Sequence, residues 1–210
     1  IIAFTFGIVT ERYETRKQLV RDEANVLRSL WLYTDFLPDS AKADAQNLMK
    51  HYTTERIVAA KSFNASEIDN ALVSAGKAFE KLWSMGVVES RLYPESDVTA
   101  RFVEQLSELS NVSATRHVVA FHTRLPGSIW YVLLILILLG MFSVGYQTAI
   151  SGSERSWVIL VLAISFSIVI VLIETLDRGH TAVMPISQYP MEYLLNRMNH
   201  GQQRDPEDGQ

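Results

Sequence analysis

His51 and Glu55 stand one helical turn apart, as do Glu104 and Glu108, and either pair could supply two ligands to a metal ion. A stable site needs three or four converging ligands, and none of the familiar ligand spacings is present. His117 and His122 are five residues apart, which turns their rings to different faces of a helix. The chain has no Gly-rich phosphate loop and no nucleophile elbow. It also has no cysteine, so disulfides, thiolate metal sites and cysteine nucleophiles are excluded. The His and Glu pairs read as solvated surface. No catalytic, cofactor-binding or metal-binding residue is assigned, and enzymatic activity is not expected. A different cluster, Glu174, Asp177 and Arg178, closes a long apolar run. A carboxylate near hydrocarbon is costly unless it is paired or wet. Glu174 and Arg178 are spaced to pair on their own helix. The cluster could also anchor against Arg12 or Arg16, or meet ions at the mouth of a pore.

The elements that must position these residues are helices, and the expected class is all-α. Of 210 residues, 48% are hydrophobic and 20% charged, a mixture of apolar spans and a charged helical region. The net charge is −4 with the two signs interleaved, so no basic nucleic-acid surface is expected. "SIWYVLLILILLGMFSVGYQTAI" (128–150) and "WVILVLAISFSIVIVLIETL" (157–176) are each long enough to span a bilayer, which takes about 20 apolar residues. With the polar turn "SGSERS" between them they read as a transmembrane hairpin over 127–176, with Ser128 as the cap of its first helix. Residues 1–10 are apolar but half the needed length, and they read as the inner half of a span that begins before Ile1.

Between these spans, residues 11–126 read as a bundle of long helices. Leu19, Leu27, Leu30 and Trp31 share one face of the first, which ends at Leu37-Pro38 because the residue before proline disfavours helical geometry. Asp39 or Ser40 is expected to cap a second helix that runs to about Phe63. A turn at "NASE" opens a third that runs to about Ser90, and Val98, Phe102, Leu106 and Leu109 stripe a fourth. Residues 177–210 form a C-terminal segment whose polar end, 201–210, is expected to be disordered. Arg12, Arg16, Lys17 and Arg21 follow the first apolar stretch, Arg116 and Arg124 precede the hairpin and Arg178 follows it, whereas the hairpin turn offers only Arg155. By the positive-inside bias, the helical region and the C-terminus both face the cytoplasm.

"RYETRKQLVRDEANVLRSLW", "RLPGSIW" and "LDRGHTAVMPIS" resemble the bestrophin-like domain proteins of bacteria over most of the chain. The last motif departs from the family, with Gly179 where proline is expected after Asp177-Arg178. The resemblance implies remote similarity to bestrophins, which are pentameric ion channels whose second span lines a narrow pore neck with apolar and aromatic side chains. "FGIVTERYETRK" looks like the point where that span leaves the membrane. On this resemblance the chain is a multi-pass protein of the bacterial inner membrane. Its partners are the lipid bilayer, further copies of itself (five by the resemblance) and inorganic ions. Phe4 is the pore-neck candidate, with Ile1 and Ile8 on its face; Arg12, Arg16, Glu174, Asp177 and Arg178 are candidates for the cytoplasmic mouth or a polar anchor. The competing reading is a membrane-anchored helical module that binds a partner without conducting.

The orientation has a direct check. Cysteines introduced at Ser40 and Ser153 are expected to label from opposite sides of the membrane, Ser40 only from the cytoplasm. Labelling of Ser40 on intact cells with a membrane-impermeant maleimide would overturn the topology.

Overall fold

The computed structural model describes residues 2–121, 126–150, 156–178 and 185–200. Its regular elements are all helical: α1 (Ile2–Tyr33), α2 (Asp39–Lys61), α3 (Ala65–Leu92), α4 (Asp97–Phe121), α5 (Gly127–Ile150), α6 (Ser156–Arg178) and α7 (Tyr189–His200), with one 3₁₀ turn at Thr34–Phe36. Among the described residues there is no strand. Ile1, Arg124, the 151–155 turn, Gly179 and the 201–210 tail lie outside the described residues, as does the Arg178 side chain. The chain divides into two compact units, residues 16–119 with 186–210 and residues 1–15 with 120–185.

In the first of these units the buried positions recur every three or four residues, the spacing of one helix face. α1 buries Val20, Ala24, Leu27 and Leu30; α2 buries Ala45, Met49 and Tyr52; α4 buries Phe102, Leu106 and Leu109; α7 buries Met191, Leu194 and Met198. The buried face of α3 is built from small residues, Ala71, Ala75, Ala78 and Gly86, with Leu82 among them. Small side chains let neighbouring helices approach closely, and α3 packs along α2 as an antiparallel-type hairpin partner across the three-residue link 62–64.

The helix boundaries follow from local chemistry. α1 gives way at Tyr33 to a 3₁₀ turn, where the Thr34 hydroxyl donates to the Trp31 carbonyl at 2.7 Å and accepts from Gln46 of α2 at 3.1 Å. Pro38, not Asp39 or Ser40, occupies the cap position of α2, and no side chain caps this end. Proline at this junction supplies the extended backbone that starts the helix but has no side-chain acceptor to offer. The α2 helix stops at Lys61, and Asn64 caps α3 by accepting from the Ser66 amide at 3.0 Å. α3 continues to Leu92, and Ser96 accepts from the Thr99 amide at the start of α4. α5 starts at Gly127, one residue before Ser128, with the Pro126 carbonyl accepting from Ile129.

The second unit contains the start of α1, α5 and α6. Val9, Ile173 and Leu176 form its buried centre, with Ile8, Tyr13, Ile129, Trp130, Val169 and Leu172 packed around them. Among the described residues, α5 and the stretch Leu160–Asp177 of α6 are the two helices long and apolar enough to cross a membrane. At 1.5 Å per residue the 24 residues of α5 reach about 36 Å, more than the about 30 Å of bilayer hydrocarbon. Of all α5 residues only Leu133 is buried within the chain. A helix apolar on every side is suited to lipid or to other helices, not to water.

Gly86 marks the tightest packing. A Cβ added there would stand 2.8 Å from Leu106 Cδ1 and within 3.6 Å of Val103 and Phe102 side-chain atoms, whereas one at Gly76 would meet nothing within 4 Å. Both glycines lie inside α3, so alanine gains about 1 kcal/mol of helix propensity at each. At Gly86 the fully buried Leu106 must give way, and such overpacking costs about 1–3 kcal/mol. Thermal unfolding of the purified protein is expected to show Gly76→Ala more stable than wild type and Gly86→Ala less stable. A Gly86→Ala melting point at or above that of Gly76→Ala would contradict the packing.

Candidate functional site

In the 16–119/186–210 unit, three helices each place a polar side chain at a core register position. On α1, Glu23 falls between Val20 and Leu27; on α2, Tyr52 and Arg56 follow Met49; on α4, Arg116 continues the row of Phe102, Leu106 and Leu109. They meet at the Glu23 carboxylate, which is 0% exposed. Its Oε1 accepts from the Tyr52 hydroxyl at 2.6 Å and from Arg56 Nε at 2.8 Å. Its Oε2 accepts from Arg56 Nη2 at 3.0 Å and from Arg116 Nη1 at 2.6 Å. A carboxylate offers about four lone-pair sites. All are filled here.

Burial alone would raise the pKa of Glu23, but the charges of Arg56 and Arg116 and the hydrogen bonds from Arg56 and Tyr52 outweigh it and lower the value to about 2. For Tyr52, burial and the Glu23 charge both push the phenol pKa up, so it stays protonated and donates. Burial favours loss of the Arg56 proton, and the Glu23 charge reverses this, raising its pKa. The second fork nitrogen of Arg116, Nη2, donates to Gln188 Oε1 at 2.9 Å. The Gln188 carbonyl in turn accepts from the Met191 and Glu192 amides at 3.0 Å, so this residue ties the first turn of α7 to the cluster. A carboxylate with every acceptor site filled and a pKa near 2 has neither a proton to give nor a lone pair for a metal. The cluster is an ionic tie between helices, not a general base.

The residues singled out by sequence are spread differently. On α1, Thr5 and Val9 are buried, Phe4 is 71% and Phe6 39% exposed, and Ile8 is half-buried against the Val9–Ile173–Leu176 centre. Phe4 and Ile8 therefore sit in different surroundings within the chain. Arg12 Nη1 stands 3.7 Å from Asp177 Oδ1 of α6, an ion-pair distance beyond hydrogen-bond reach, and Asp177 is buried. Glu174 lies half-buried one turn earlier on α6. Arg16 is buried in the other unit, where its Nε donates to the Val119 carbonyl at 3.4 Å. Ile1 and the Arg178 side chain lie outside the described residues.

The metal-ligand pairs stay on the surface. His51 Nδ1 is 3.9 Å from Glu55, its Nε2 is 2.9 Å from the Ser74 hydroxyl, and Glu104 and Glu108 are exposed on α4. His122 lies outside the described residues, and among the described residues no three His, Asp or Glu side chains converge on a metal position. Sequence reasoning missed Glu23, Tyr52, Arg56 and Gln188, and used Arg116 only as a flanking charge. A signal was there: an acid on the Val20–Leu27–Leu30 stripe and an arginine seven residues after Met49 are charges at core positions, which are rarely occupied by unpaired ions.

Replacing Glu23 by Gln leaves the buried Arg56 and the half-buried Arg116 without their counter-charge, a loss of about 3–5 kcal/mol. The pH dependence has a definite sign. Because folding lowers this pKa from 4.5 to about 2, the stabilisation is complete above 4.5, shrinks as pH falls below it and is gone below about 2. Glu23→Gln is expected to unfold at lower denaturant concentration at neutral pH and to lose part of the wild-type decline between pH 4.5 and 2. An unchanged neutral-pH midpoint would contradict the ionic tie.

No curated protein and no solved structure matches the chain. The family model of the Bestrophin-like domain matches residues 1–190, which takes in α1 to α6 and the Gln188 that closes the Glu23 cluster. The chain belongs to the Bestrophin-like domain family.

Proposed function

We propose that the chain is one subunit of an oligomeric ion channel or channel-like pore in a membrane. The observation that carries this reading is on α1: Phe4 is 71% exposed within the single chain while its neighbour Thr5 is 1% exposed. Successive residues of a helix are turned by about 100°, so α1 buries one side in its own subunit and leaves an aromatic side chain on another. In a ring of copies, Phe4 faces the axis. A ring of Phe side chains gives an ion nothing to replace its lost hydration water, and it gates by dewetting.

The Arg12–Asp177 pair, 3.7 Å apart, is the anchor that holds α1 on α6 below this neck. Membership of the Bestrophin-like family supports a channel-like role, and α5 and α6, apolar and largely exposed, supply the lipid-facing helices. In this reading the protein is multi-pass in the inner membrane, the 16–119/186–210 unit and the C-terminus are cytoplasmic, the subunits number five, inorganic ions are the cargo, and the chain catalyses no reaction.

A second reading, a membrane-anchored module without conduction, draws on the 16–119/186–210 unit, which has a core of its own and exposes Phe36, Phe63 and Leu92.

Ion flux in reconstituted vesicles separates the two. Phe4→Ala is expected to raise flux by widening and wetting the neck. Phe6→Ala, about 200° away around α1, is expected to leave flux unchanged and to cost less than the about 3–5 kcal/mol of a fully buried Phe, since Phe6 is 39% exposed. Equal flux for wild type and both variants, in protein shown to be folded and inserted, would overturn the channel reading in favour of the module.

A further inference from the structure

A groove of about 320 Å³ runs between α3 and α4 within the 16–119/186–210 unit. Phe79, Glu80 and Trp83 line it from α3, and Ser107, Ser110 and Asn111 from α4. The core holds these walls in place. Leu82, Leu106 and Leu109, interleaved with the lining residues on the two helices, are fully buried, and Phe79 packs on the same core. Trp83, one turn after Phe79, keeps 39% of its surface outside. The two rings stack with centroids 6.4 Å apart and planes 30° from parallel, so they present one aromatic wall.

An aromatic face is electron-rich and attracts cations. Glu80 adds a full negative charge beside the same wall. Across the groove, the Ser107 and Ser110 hydroxyls and the Asn111 side-chain carbonyl are acceptors. Helix geometry decides which other charges reach this space. Within one turn of the lining residues, α3 carries Lys77 and Lys81, and α4 carries Glu104 and Glu108. At about 100° per residue, both lysines are turned more than about 100° from the middle of the Phe79–Glu80–Trp83 face. Glu104 lies about 70° and Glu108 about 110° from the middle of the Ser107–Ser110–Asn111 face. Three acids against two bases that are turned away leave the groove negative.

We propose that this groove binds a methylated organic ammonium cation, with its methyl groups on the Phe79 and Trp83 rings and Glu80 as the counter-charge. A small metal ion needs about six or more oxygen ligands around it, and an aromatic wall supplies none. A methylated ammonium spreads its charge over apolar methyl groups and is weakly hydrated, so it suits ring faces and a carboxylate at once. The single acid in the lining matches a monocation. The site stands apart from the channel reading, since none of its residues is in the pore or anchor set. Free choline and the headgroup of a phosphatidylcholine lipid present the same chemistry to it.

The test uses the full chain in maltoside detergent, titrated at constant ionic strength with choline and with dimethylbutanol, its uncharged carbon isostere, and in phosphatidylglycerol nanodiscs with or without phosphatidylcholine. Calorimetry reads binding of the free ligand and the melting temperature reads the lipid. Trp83→Leu and Glu80→Gln are each expected to weaken the response about tenfold, equivalent to about 1.4 kcal/mol. Trp83→Phe should retain part of it, because the smaller ring still offers a face. Asp69→Asn removes the same charge from an exposed position about 16 Å earlier on α3 and should leave the response unchanged. A Trp83- and Glu80-dependent response to choline and not to the isostere identifies a free amine ligand; one seen only with phosphatidylcholine identifies a headgroup. A response to neither, an equal response to the isostere, one that survives either groove substitution, or one lost equally in Asp69→Asn overturns the proposal.

Discussion

Glu23 stays ionised where no solvent reaches it because four donor groups from α2 and α4 close on its two oxygens. Taking a carboxylate and two guanidiniums out of water costs several kcal/mol per ion, and the mutual attraction offsets this only when every hydrogen bond is made. The cluster therefore acts as a register constraint more than as a source of net stability. If α2 slid by one turn against α1, Tyr52 and Arg56 would no longer meet Glu23, leaving the Arg56 charge without its partner and Glu23 with Arg116 alone. Leucine and methionine in the same core tolerate such a slip far better, because apolar contacts are not directional. The Arg116–Gln188 link extends the constraint to the entry of α7, which then buries Met191, Leu194 and Met198 on the same core.

The unit built from 1–15 and 120–185 follows a different rule. Its polar side chains are few and its centre is a small apolar cluster around Val9, Ile173 and Leu176. Hydroxyls along its helices, such as Thr10, Thr148, Ser165 and Ser167, donate back to the carbonyl one turn earlier. Such bonds satisfy a polar group within its own helix and need no partner and no water, which is what an apolar surrounding requires. The ion pair of Arg12 with Asp177 departs from this pattern, and it sits at the last turn of the apolar stretch of α6.

Much of this was legible from residue order. The two apolar helices, the break at Leu37-Pro38, the Asn64 cap and the Leu27–Leu30 and Phe102–Leu109 stripes depend on local spacing and local capping, and they stand within a residue or two of where the periodicity puts them. The missing parts were non-local. α7 is a short, polar-looking helix whose Met191, Leu194 and Met198 become a core face only once α2 lies against it. Tyr52, Arg56 and Arg116 come from positions 29, 33 and 93 residues away from Glu23, and nothing in one helix's pattern says which opposite charge it will meet. Ile8 and Phe4 looked alike at helical spacing, and the neighbouring α6 separates them by covering only one.

The same limit applies to charge. A net charge of −4 with interleaved signs describes a chain with no basic surface. Folding redistributes it. Acids that balance the total are drawn into specific partnerships, Glu23 with two arginines, Glu192 with Lys61 and Asp35 with Lys42. Cations also meet aromatic faces, Lys50 at 5.7 Å from the Trp31 ring and Arg197 at 5.9 Å from the Tyr193 ring. Field strength in a groove depends on the charges within about a Debye length, roughly 8–10 Å, and not on the sum over the chain. Net charge is therefore silent on the pairing of individual carboxylates, and Glu23, which meets two arginines from two helices, shows how far a local arrangement departs from the sum.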